Sequence, residues 1–132
     1  MVGPINPHFN VNAIKGVGDE PSKQQIQNDL LAWQKELKDC QDHPKSTVYA
    51  ETFCKGSDRI FLHDMYYIEK YSPALSEKLK DVLDTHINSG EALFDAIYDK
   101  HYDSLATSFQ EKPELYEDLS QTLTDIYNDL GQ

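Results

Sequence analysis

The chain has 132 residues, 39% of them hydrophobic, enough for one domain with a core that needs no metal or disulfide framework. Its 12 Lys and Arg stand against 23 Asp and Glu, a net charge of −11 at pH 7. That acidity excludes a generic DNA- or RNA-backbone binder, which needs a basic surface to displace phosphate counterions, and disfavours anionic membranes for the same reason.

Residues 1–21 carry Gly3, Pro4, Pro7, Gly16 and Gly18 without apolar periodicity, which predicts an extended or disordered arm ahead of one helical domain over residues 22–132. The arm has no basic start and no continuous apolar run, so it does not read as a Sec signal peptide. A cytoplasmic location is expected, with export by a route lacking a cleaved Sec signal as the alternative. A first helix is predicted over residues 22–42, where Ser22 and Gln25 have capping-box spacing and Ile26, Leu30, Trp33, Leu37 and Cys40 form one apolar seam. The step His43-Pro44 ends it, because the residue before proline is pushed out of the α region.

A short helical piece over residues 46–54 is expected to stop at Lys55-Gly56. Ser57 then caps a third helix over residues 58–71, with Phe61, Met65 and Ile68 inward. Ser72-Pro73 opens the next, since serine caps free N–H groups and proline at the first position loses no bond. Its seam is Leu75, Leu79, Val82 and His86, with Ile87 as a further candidate. Asn88 and Glu91 have capping-box spacing, so a fifth helix is predicted to run to about Gln110. Pro113 opens the last, whose Tyr116, Leu119, Leu123, Ile126 and Leu130 keep helical spacing up to Gly131. No segment alternates as a strand does. The expected fold class is therefore all-α: a compact antiparallel helical bundle of four long helices plus one or two short helices.

Catalytic and metal patterns are sparse. No Glu-x-x-His or His-x-x-x-His pair occurs, so neither a di-iron bundle site nor a single-helix zinc site is expected, and no metal, cofactor or catalytic residue is assigned. Cys40 and Cys54 are expected to be reduced, buried thiols. An enzyme would rest only on His63, Tyr67 and Cys40 and ranks last. Tyr66, Tyr67 and Tyr71 are read as lining the core boundary rather than an exposed aromatic patch.

Charge is the unusual feature. Residues 89–132 hold Lys100 and Lys112 against ten acids, a net of −8, and no basic residue follows Lys112. Glu91, Asp95, Asp99 and Asp103 recur every fourth residue, and in the last helix Asp118, Asp125 and Asp129 are expected across the outer surface. Like charges at that spacing cost stability, so they are assigned as partner-binding. The predicted function is a small non-enzymatic module of the inhibitor or immunity type. Its partner is a basic protein, such as a nuclease or nucleic-acid-binding protein, met with neither direct nucleic-acid contact nor a membrane. The chain itself is expected as a monomer or homodimer. The alternative is a secreted or secretion-apparatus-associated helical protein, substrate or adaptor, whose N-terminal arm serves export or docking.

Overall fold

The computed structural model describes residues 20–43, 47–87 and 90–132. The arm over residues 1–19, the cap at Asn88 and the turn at Pro44 lie outside them. Among the described residues the chain is all-α, with helices α1 (Lys23–Asp42), α2 (Thr47–Arg59), α3 (Met65–Tyr71), α4 (Pro73–Leu83), α5 (Leu93–Tyr98), α6 (Tyr102–Glu111) and α7 (Pro113–Leu130). A π-helical turn, Ile60–Asp64, joins α2 to α3.

The first helix forms as its sequence dictates. The Gln25 N–H donates to Ser22 Oγ at 3.0 Å, and Ile26, Leu30, Trp33, Leu37 and Cys40 are all fully buried. Of the expected arm, Pro21 is buried, and Tyr71 donates to the Glu20 carboxylate, so the body begins slightly before the cap.

The second and third expected helices are instead one rod. Residues 47–71 run without a break through Gly56 and Ser57, and Ser57 is buried in the rod rather than capping anything. The reason is tertiary. Trp33 is fully buried, so its indole N–H needs an acceptor, and Ser57 Oγ supplies one at 2.9 Å. Phe53 stacks on the indole at 6.3 Å between centroids and Phe61 meets it edge-on at 5.4 Å, which commits the rod to α1 on both sides of Ser57. Within the π turn the Met65 N–H reaches the Ile60 carbonyl, one residue further back than an α-helix allows. Within the turn Ile60, Phe61 and Asp64 are buried and Leu62 is exposed.

Pro73 opens α4 as expected, but the Ser72 hydroxyl does not cap it; it donates to the Asp129 carboxylate of α7. His86 is exposed rather than part of a seam, and an isolated bridge pairs it with Ala92. The predicted fifth helix is broken in two. Lys100 adopts φ 65°, a left-handed turn that ends α5 and puts His101 just ahead of α6, where its side chain makes no cap bond. The turn is fixed by Lys100 Nζ, which lies 2.9 Å from Asp58 Oδ1 and over the Tyr98 ring.

Helices α1 and α7 run antiparallel, as the pairings along them show. Gln27 Nε2 donates to the Tyr127 carbonyl at 2.9 Å, while Gln34 Nε2 donates to the Ser120 carbonyl at 2.9 Å and to Thr124 Oγ1 at 2.8 Å. Higher numbers on α1 thus meet lower numbers on α7. The same sense relates α1 to the rod through Glu36 near Gly56 and Asp29 near Arg59. One continuous core, with Trp33, Phe53, Phe61, Phe94 and Phe109 its largest fully buried side chains, fills the space between. Tyr67 is buried and Tyr66 and Tyr71 are half-buried against that core, which is the boundary role expected of them.

Candidate functional site

The seven acids assigned to partner binding do not form continuous rows. The break at Lys100 separates Glu91 and Asp95 from Asp103, so the four-residue repeat is not a stack on one helix face. Glu91 is half-buried and holds the His101 imidazole, with Ser104 Oγ at 3.5 Å. On α7, Asp125 lies 3.7 Å from Lys78 Nζ and accepts from Gln121, while Asp129 accepts from Ser72. Both therefore hold α4 in place, which offsets their poor position at the negative end of the helix. Asp95 is half-buried. Asp99, Asp103 and Asp118 stand exposed, and among the described residues no cation pairs with any of them. Glu111, Glu114 and Glu117 are exposed alongside them on α6 and α7.

A second feature was not assigned from the sequence. Between α1 and α2 lies a cleft of about 210 Å³ lined by Asp29, Ala32, Glu36, Thr52, Lys55, Gly56 and Arg59. Glu36 Oε1 is buried there without a hydrogen-bond partner, because Gly56 has no side chain to exclude it; a Cβ at Gly56 would stand 1.8 Å from that oxygen. Burial first, then the Asp39 carboxylate, push the Glu36 carboxyl up to about 7, against the opposing pull of Lys35 and Arg59.

At the π turn three further groups converge. A ring nitrogen of His63 and carboxylate oxygens of Asp29 and Asp64 lie within 4.8 Å of one another. Asp64 is fully buried; its Oδ1 lies 2.7 Å from His63 Nδ1, and its Oδ2 has no hydrogen-bond partner. Asp29 Oδ2 is likewise buried and unpartnered, and Arg59 Nε, at 3.9 Å from Asp29 Oδ1, is too far to donate a hydrogen bond. Burial and the facing Asp29 carboxylate push the Asp64 carboxyl well above the usual carboxylate range.

The thiols are held differently. Both cysteines are free, Cys40 buried and Cys54 half-buried. Burial pushes the Cys40 thiol up to about 12, so it stays protonated at neutral pH and is no nucleophile there.

Comparison with known families, curated proteins and solved structures finds no match to this chain. Among the described residues, no helix is long and apolar enough to cross a membrane.

The carboxylates at the π turn escaped sequence reading for a definable reason. Metal motifs within one helix repeat at three or four residues, whereas this cluster joins residue 29 to residues 63 and 64 across two helices. One signal was present: Asp64 falls between Phe61 and Met65 on the inward face of its helix, where an acid is out of place.

Proposed function

We propose that the chain is a non-enzymatic protein-binding module of the inhibitor type, which docks a basic protein partner on the exposed acids of α6, α7 and the turn before α6. The observation that carries this reading is that Asp99, Asp103 and Asp118 are exposed and, among the described residues, without cations, in a segment of net charge −8 that has no basic residue after Lys112. Carboxylates left in this state steer a positively charged partner and make its binding salt-sensitive. On a nuclease or other nucleic-acid-binding protein they would stand where phosphates bind, and occupying that groove would inhibit it. The contact set is narrower than the seven acids of the sequence pattern, since Glu91, Asp125 and Asp129 already hold internal partners.

The test compares the native chain with a triple variant, Asp99→Lys, Asp103→Lys and Asp118→Lys, in pull-downs from the native source at low and high salt. A partner retained by the native chain at low salt, released at high salt and missed by the triple variant supports the reading. A partner held equally by both chains removes it.

A further inference from the structure

We propose that Asp29, His63 and Asp64 form a binding site for a divalent first-row metal ion, zinc fitting best, between α1 and the π turn. The site is separate from the acidic face and does not depend on it.

Two observations support a bound cation independently. The first is geometric: one imidazole nitrogen and two carboxylate oxygens lie within 4.8 Å of one another, drawn from two different helices. Asp29 and His63 keep side-chain exposures of 14% and 21%, so small rotations bring their atoms to the closer spacing of tetrahedral ligands. The second is an unmet need. Asp64 is fully buried, and among the described residues no N–H or hydroxyl donor reaches its Oδ2 or the buried Oδ2 of the facing Asp29. A buried carboxylate pair left so is costly unless it shares a proton or a cation. A proton shared between the two carboxylates would also satisfy both, with His63 Nδ1 bonded to Asp64 Oδ1; a divalent ion satisfies the same oxygens and takes the imidazole as a third ligand, and the measurements below separate the two.

The ligand set narrows the metal. One nitrogen and two oxygens suit zinc, which accepts three protein ligands and completes a tetrahedron with water. Magnesium demands six near-octahedral oxygens, and three ligands that include an imidazole do not provide them. Arg59 is the competing cation. Its side chain is 57% exposed and 3.9 Å from Asp29, so it can turn outward when a metal neutralises that carboxylate. The π turn fits this reading, because such turns are retained most often where a helix carries a functional group.

The test uses the full chain, untagged and stripped with chelator, titrated with zinc chloride by calorimetry. Saturable uptake of one zinc per chain is expected, with a higher thermal midpoint and no displacement by magnesium. His63→Gln, at a half-exposed position that should fold, is expected to weaken uptake at least ~10-fold and to abolish the thermal shift. Asp64→Asn, whose amide can donate to Asp29, should fold and lose zinc similarly. If zinc does not bind saturably, or if His63→Gln binds it as tightly as the native chain, the site is overturned. A carboxyl infrared band that persists at neutral pH in the zinc-free chain, is lost in Asp64→Asn and is indifferent to added zinc would overturn it too, in favour of a shared proton.

Discussion

At Gly56 a Cβ would come within 1.8 Å of Glu36 Oε1, so this residue lets a carboxyl lie against the rod. The consequence is a pH dependence. Unfolded, Glu36 loses its proton near 4.5; folded, it keeps it to about 7. Between those values the folded chain binds more protons, so this group's contribution to stability falls as pH rises through the window and is constant above it. The loss is roughly 1–2 kcal/mol once partial exposure is allowed for. Glu36→Gln should therefore raise the thermal midpoint at pH 8 more than at pH 5, by about 4 °C per kcal/mol. Gly56→Ala should do the same by pushing the carboxyl into solvent, with about 1 kcal/mol of helix propensity added at both pH values. Equal effects of either substitution at the two pH values would show that Glu36 is already solvated. Ser57 is the other residue that sequence reading misplaced. Ser57→Ala leaves the Trp33 indole N–H buried and unpaired, and should lower unfolding free energy by about 1–3 kcal/mol in urea titrations.

The rod over residues 47–71 is helical against its local sequence. Gly-Ser in sequence reads as punctuation, since glycine costs helix stability and serine favours caps. Here a neighbouring helix overrides both: the glycine admits Glu36 and the serine answers Trp33. The π turn Ile60–Asp64 then adds one residue, so the faces of α2 and α3 point inward despite an extra step between them. Deleting Leu62, exposed in that turn, should restore an α ladder and leave a folded chain, losing less than about 2 kcal/mol. Deleting Thr52 instead rotates residues 53–59 by about 100° ahead of the π turn, misplacing Phe53 and Ser57 against Trp33, and should abolish the cooperative urea transition followed by circular dichroism. If both deletions unfold the chain alike, the turn is not an accommodating insertion.

Over the whole molecule, charge sets the balance. A net of −11 on a small domain repels itself, and the break at Lys100 spreads the C-terminal acids instead of aligning them. Raising ionic strength from about 0.01 to 0.15 M shortens the screening length from about 30 to 8 Å, and should raise the thermal midpoint by a few degrees. The triple variant Asp99→Lys, Asp103→Lys and Asp118→Lys should match or exceed the native midpoint at low salt, because none of those acids has a cation to lose among the described residues. A lower midpoint would mean that these acids serve the fold rather than a partner.

The helical class, the seams of α1 and α7 and the excess of acid in the last third were all legible before any fold was known. Periodicity and composition are local properties, readable wherever apolar residues repeat at the helical period. Only the tertiary structure decided which apparent breaks were real. Gly56-Ser57 is helical because another helix packs on it, whereas Asp99-Lys100-His101, with no glycine or proline, is a turn held by Asp58 from α2. It also decided which carboxylates remain free and which meet: Asp125 and Asp129 are spent on α4, while Asp29 reaches Asp64 across the interior. Both outcomes depend on groups far apart in the chain, and spacing along one helix carries no information about what a second helix brings to it.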